Sequence, residues 1–168
     1  MEKRTGVYIC TGCGIGDAIA SAALTRIATE EYKVPVCKEH PCLCSSEGQA
    51  LLRGDLEAAG LTTLVIAACS PRVMTDVFDF GPDRIVERVN LREQVVWSHP
   101  PNDEDTRMLA EDQLRMGIVK AREAEPPAPF LAEDLSLRIL VVGGGLAGMT
   151  AATEAAKAGY EVVLVESS

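Results

Sequence analysis

The run from Arg138 to Met149 constrains this chain most. Ile139, Leu140, Val141 and Val142 lead into a glycine-rich turn, Gly143 to Gly148, and a helix-period segment continues from Met149 to Ala158. Gly159 and Tyr160 then precede a second apolar run, Val162 to Val165, closed by Glu166. A Gly143-x-Gly145-x-x-Gly148 pattern is a weak signal by itself. Between a strand and a helix, with an acidic residue after the next strand, it reads as a βαβ dinucleotide-binding unit. Gly143 permits the tight turn, Gly145 lets the backbone approach a pyrophosphate, and Gly148 allows the helix to pack close to the strand. The helix start, with Leu146 and Ala147 between those glycines, offers unpaired N–H groups to phosphate. Glu166 is placed to accept hydrogen bonds from ribose hydroxyls, and an acidic group there disfavours a 2′-phosphate, so FAD or NAD is expected over NADP. One βαβ unit lacks the strands that would cover adenine and flavin. These 168 residues alone are therefore expected to bind FAD poorly or not at all.

Upstream, strand-like and helix-like stretches alternate. Thr5–Cys10, Val34–Val36, Thr63–Ala68 and Arg84–Val89 read as strands. Thr63–Ala68 is the clearest, being apolar, rich in β-branched residues and bounded by turn residues. A helix is expected to carry Ala20, Leu24 and Ile27 on one face, and a second to open at a Ser46-x-x-Gln49 capping box and bury Leu52, Leu56 and Ala59. Residues 73–81 read as a short helix and 90–94 as a short helix or turn. A long helix begins at the acidic run Asn102–Asp105, faces Ala110, Leu114, Gly117, Ile118 and Ala121 inward, and ends near Ala124 before Pro126-Pro127-Ala128-Pro129. The expected architecture is α/β: a small, mostly parallel sheet flanked by helices over 1–125, a linker at 126–137, and the first βαβ unit of a Rossmann-like FAD domain over 138–168.

The net charge of −9 argues against nucleic-acid binding, which needs clustered Lys and Arg. No apolar run approaches the roughly 20 residues of a membrane span, and no signal-peptide core follows Met1. The chain reads as cytoplasmic, where six cysteines point to ligands or redox groups rather than disulfides.

Those cysteines follow the strands. Cys10 and Cys13 come after the first, Cys37, Cys42 and Cys44 after the second, and Cys69 after the third. In an open parallel sheet the carboxyl ends share one edge, where ligands bind, so the three groups are expected to converge. Four thiolates suit a [4Fe–4S] cluster or tetrahedral zinc, although the spacing matches neither a bacterial ferredoxin run nor a paired zinc ribbon. Buried apolar thiols and a redox pair at Cys10 and Cys13 are the other readings. His40 reads as a loop residue and His99 as structural. Ser70 to Arg72 would bring N–H groups and a cation near an anionic cluster, or would simply face solvent.

Taken together, Val7–Cys10 with Cys13, Leu43-Cys44-Ser45 with Gly48-Gln49, Ala67-Ala68-Cys69-Ser70-Pro71-Arg72, Asn90-Leu91-Arg92-Glu93, Trp97 and the glycine motif resemble one family. The chain is similar, over essentially its whole length, to the N-terminal part of the heterodisulfide reductase A-type polypeptides. The resemblance implies an electron-transfer iron–sulfur domain heading an FAD-dependent oxidoreductase subunit of a multisubunit anaerobic redox complex. It implies Cys10, Cys13, Cys44 and Cys69 as the ligands of a [4Fe–4S] cluster, with Cys37 and Cys42 in reserve. Other subunits of the complex and ferredoxin-like or flavin electron partners follow from it, and a homodimer is compatible with it. Two departures stand out. The first pair is Cys-x-x-Cys where the family often has Cys-x-Cys, and Val73-Met74 stand where a histidine commonly follows Ser-Pro-Arg. The flavin and ferredoxin regions do not follow within the 168 residues, so a truncated subunit or one piece of a split subunit is expected. The competing reading is a docking or dimerisation module held by zinc or a structural cluster, with no chemistry of its own.

Overall fold

In the computed structural model, residues 3–128, 130–131 and 135–167 are described. The chain divides into two compact units, residues 1–127 and 128–168. Pro129 and residues 132–134, part of the expected linker, lie outside the described residues.

The first unit is built on four parallel strands, β1 (Thr5–Cys10), β2 (Val36–His40), β3 (Thr63–Ala68) and β4 (Ile85–Asn90), in the order β2-β1-β3-β4. Every residue of β1 and β3 is buried, as expected of central parallel strands covered on both faces. The edge strand β2 starts later than the sequence suggests. Pro35 donates no backbone N–H, so pairing begins at Val36, and Lys38 and Glu39 then suit an edge that faces water. Cys37 consequently lies within the strand rather than after it.

Helices cover both faces. Glu104–Glu123 forms one long helix, and the five residues expected to face inward are all buried. Gly117 lies against Val89, and Lys120 donates to Glu87 at 3.0 Å, so this helix covers the face bearing alternate β4 residues Glu87 and Val89. Register carries that face to Val65 and Ala67 of β3 and to Val7 and Ile9 of β1. The opposite face holds Tyr8, whose hydroxyl donates to Asp55 on the Ser46–Ala58 helix at 3.0 Å. In chain order the helices of this unit are α1 (Ile15–Ala18), α2 (Ser21–Arg26), α3 (Ser46–Ala58) and α4 (Glu104–Glu123).

Several boundaries differ from expectation for local reasons. The single helix expected around Ala20–Ile27 breaks into α1 and α2, and α2 widens into a π turn over Ile27–Glu31. Ala20 is exposed as the N-cap of α2, while Leu24 and Ile27 are buried. The cap of α3 is Ser45, whose hydroxyl accepts the Gly48 N–H at 3.1 Å, and Gln49 turns back to donate to the Leu43 carbonyl at 3.0 Å. Residues 73–81 form turns instead of a helix. Met74 adopts a left-handed φ of 54° and Pro82 follows Gly81, and buried Phe78 anchors this β3–β4 crossover.

The second unit contains β5 (Ile139–Val142), α5 (Leu146–Lys157) and β6 (Val162–Val165), with the two strands parallel and in register from Ile139 opposite Val162. This is the βαβ arrangement expected from the glycine motif.

A methyl group at Gly117 would sit 2.2 Å from Val89 Cγ2. Gly117→Ala is expected to destabilise the first unit by about 1–3 kcal/mol through overpacking. Urea denaturation measures this, and an unchanged midpoint would show that α4 rides less closely on β4.

Candidate functional site

The strand order places the topological switch between β1 and β3, because the chain leaves β1 toward one side of the sheet and returns to β3 on the other. Ligands bind outside the carboxyl ends at such a crevice. Cys10 closes β1 and Cys69 directly follows β3, so one thiol stands on each side. From the end of β2 the loop Pro41–Cys44 leans across toward them. Thr11 N–H donates to the His40 carbonyl at 3.0 Å, and a side chain at Gly12 would run into the Pro41 carbonyl at 1.9 Å. The close approach of these two loops requires glycine there.

Together they enclose a cavity of about 210 Å³. Cys10, Cys13, Cys42, Cys44 and Cys69 line it, with Leu43, Phe78 and Arg92 among the other walls. More open clefts of about 250 and 530 Å³ lie along β4, and charged side chains line much of both. The cysteine cavity is smaller and predominantly apolar. All four cysteines expected as ligands thus meet there, and Cys42 joins them. Cys37 does not. It pairs opposite Val7 inside β2, half-buried, where burial raises its thiol pKa.

Cys10 and Cys69 are buried, Cys44 half-buried, and Cys13 and Cys42 exposed. Cys42 Sγ and Cys44 Sγ are 3.5 Å apart. Burial, and next the hydrogen bond with Cys42, push the Cys44 thiol pKa up. Among the described residues no three His, Cys, Asp or Glu side chains converge tightly enough to hold a single metal ion as they stand. The thiols ring a space instead. Cys13 is held at φ 53°, and Met74 on the opposite wall at 54°. Such left-handed backbone in residues other than glycine costs roughly 1–3 kcal/mol and clusters at ligand sites.

Two arginines supply positive charge. Arg88 Nη2 donates to Cys69 Sγ at 3.1 Å and to the Cys69 and Ser70 carbonyls at 3.2 Å, and its guanidinium stacks over Phe78 at 4.1 Å. Arg92 lies in the cavity wall, stacks on exposed Trp97 at 4.8 Å, and pairs with Glu93 at 2.7 Å. Glu93 in turn accepts the Ser70 N–H at 2.8 Å, which ties the β4 exit to the loop after Cys69. The π turn Arg92–Val96 presents both side chains. Of the two readings open for Arg72, a cation beside the thiols or a solvent-facing residue, the structure has the second: it is exposed and lines no part of the cavity. Arg92 stands in the cavity wall, and Arg88, which borders the neighbouring cleft, reaches the site through the Cys69 sulfur. The sequence signal for Arg88 is a charged residue on a strand face it shares with Val86. His40 accepts the Cys42 N–H at its Nδ1, and His99 contacts Ser98 and the Val95 carbonyl, so neither lines the cavity.

In the second unit Gly143 has φ 104°, and a side chain at Gly148 would meet the Gly143 carbonyl at 1.9 Å. The turn is therefore open only to glycine at the helix crossing. Gly145 caps α5 without a side-chain bond, with Leu146 and Ala147 starting the first turn. Glu166 accepts the Gly144 N–H at 2.5 Å and the Ser167 N–H at 2.7 Å, so the carboxylate reaches the glycine turn itself.

Residues 138–168 match the family model described as an FAD binding domain. Across 97% of its length the chain is 36% identical to the A subunit of the ferredoxin/F(420)H(2)-dependent CoB-CoM heterodisulfide reductase of Methanosarcina acetivorans, covering 21% of that protein. It is 36% identical to the A subunit of the H(2):CoB-CoM heterodisulfide,ferredoxin reductase of Methanothermobacter thermautotrophicus, with 98% of this chain and 26% of the relative aligned. Identity to an iron–sulfur A subunit of the CoB–CoM heterodisulfide reductase of Methanopyrus kandleri is 33%, over the same shares of the two chains. Over nearly its whole length the chain is thus similar to heterodisulfide reductase A subunits. It spans about a fifth to a quarter of the length of the curated relatives it matches. Among the described residues no helix is long and apolar enough to cross a membrane.

Burial pushes the Glu93 carboxyl pKa up, but the Arg92 hydrogen bond, the Ser70 N–H and its own N–H outweigh that and leave it below the ordinary range. A depressed folded pKa contributes stability that is present above the unfolded value and lost as pH falls through the folded one. Glu93→Gln is therefore expected to lower stability at neutral pH, with the gap to the parent protein closing in acid. Denaturation at several pH values checks this; a gap that is constant with pH would remove the carboxylate's role.

Proposed function

We propose that the first unit is an electron-transfer domain holding a [4Fe–4S] cluster on Cys10, Cys13, Cys44 and Cys69. The unit that follows is the start of the FAD-binding part of an oxidoreductase subunit of the heterodisulfide reductase A type. The observation that carries this reading is that cysteines from three separate strand ends line one apolar cavity at the switch point of the sheet.

The donor set fits the group. A single zinc ion would draw four sulfurs to about 3.8 Å of one another, given Zn–S bonds near 2.3 Å. A cubane binds each thiolate through a different iron and so suits sulfurs spread around a cavity. When bound, such a cluster supplies one-electron storage at a potential tuned by burial, net charge and hydrogen bonds to sulfur. The chain's own contribution is to hold the four thiols, exclude water with Ile15, Leu43 and Phe78, place Arg92 in the cavity wall and set Arg88 against the Cys69 sulfur. The Methanopyrus kandleri relative is named as an iron–sulfur subunit, which supports the same reading.

For the second unit, the turn at Gly143, Gly145 and Gly148, together with the Leu146 and Ala147 N–H groups, is suited to a pyrophosphate, and Glu166 to ribose hydroxyls. The electron partners are the remaining flavin-bearing segments, other subunits and ferredoxin-like proteins.

Anaerobic purification followed by metal analysis tests the proposal. A brown protein with about four irons per chain and an EPR signal on dithionite reduction is expected. A colourless protein with stoichiometric zinc would overturn it and favour a structural or docking module. Cys69→Ala is expected to lose most of the iron, because its thiol stands at the switch point beside Cys10; full retention of iron would remove Cys69 from the ligand set.

A further inference from the structure

We propose that Arg88 sets the reduction potential at this site, raising it through a half-buried positive charge and a hydrogen bond placed on the Cys69 sulfur. The inference rests on the cluster reading above and assigns a residue that reading does not need as a ligand.

Four contacts hold the side chain. Nη2 lies 3.1 Å from Cys69 Sγ and shares its two N–H groups between that sulfur and the Cys69 and Ser70 carbonyls, and the guanidinium carbon lies 4.1 Å from the Phe78 ring centre. β4 delivers it from the strand beside β3, with Arg88 paired opposite Ile66, so its backbone position is as rigid as the sheet. The location is costly. Burial lowers the Arg88 pKa, and its Nε–H is buried with no acceptor among the described residues. Leaving a buried donor unsatisfied is destabilising. Arginine nevertheless stays charged there, because its guanidinium does not deprotonate in proteins.

The consequence for the site is electrostatic. A [4Fe–4S] unit with four thiolates carries net negative charge, and reduction adds one more. A fixed cation close to one ligand sulfur stabilises the reduced state more than the oxidised one, and a low-dielectric wall enlarges the difference. The N–H···S bond acts in the same direction by withdrawing charge from the thiolate. Arg92 contributes less, because its charge is already balanced by Glu93 at 2.7 Å.

A merely structural Arg88 would hold the loop after β3 and nothing more. Redox titration of the 168-residue chain, loaded anaerobically, separates the two roles. Arg88→Met is expected to lower the equilibrium constant for one-electron reduction at least tenfold, about 59 mV. Arg88→Lys, which keeps the charge and changes the geometry, is expected to fall between Met and the parent. Iron content and thermal unfolding are measured beside each titration, so a variant that loses its cluster is recognised and the other carries the comparison. Loaded variants with the parent potential, whatever their stability, would overturn the inference while leaving the cluster reading intact. A parent chain that takes up no iron would overturn both.

Discussion

Parallel pairing is the constraint on which the rest depends. Once β1, β2, β3 and β4 run the same way, their carboxyl ends must share an edge, and whatever follows each strand is delivered there. The order β2-β1-β3-β4 adds a second condition, since connections diverge from β1 and leave a crevice between β1 and β3 that neither crossover fills. Cysteines distant in sequence reach one cavity because of this topology, with no need for local spacing of the ferredoxin kind. The two loops that enclose the cavity approach so closely that Gly12 has no room for a side chain.

The same edge gathers charge. Arg88 comes from β4 and Arg92 from the π turn beyond it, while Glu93 clamps the loop after Cys69. A chain of net charge −9 thus keeps two cations beside its thiols. That arrangement suits an anionic group held at the switch point of the sheet.

Much of this is legible in the sequence because burial on both faces leaves an unmistakable pattern. Thr63–Ala68 reads as a strand since every residue is apolar or β-branched, and α4 reads from its periodicity, with all five expected inward residues buried. The convergence of Cys10, Cys13, Cys44 and Cys69 follows from the position of each cysteine at or beyond the end of a strand. What the sequence hides depends on pairing partners. The edge strand β2 carries Lys38 and Glu39 and so lacks the apolar signature, which is why sequence alone starts it too early and puts Cys37 in a loop it does not occupy. Arg72 adjoins Cys69 in sequence, whereas Arg88 reaches the same sulfur across a strand pair, a neighbour relation that register alone creates. Cys42 shares the cavity with the four expected ligands, and its role is a matter of ligand choice rather than of fold.

The most direct test of the account is which thiols are shielded. The loaded chain, treated anaerobically with an alkylating reagent, unfolded, and mapped by mass spectrometry, should show Cys10, Cys13, Cys44 and Cys69 protected and Cys42 labelled, with Cys37 labelled to the same extent whether or not metal is present. Metal-dependent protection of Cys37, or free labelling of Cys10 or Cys69 in the loaded state, would contradict a site built at the crevice between β1 and β3.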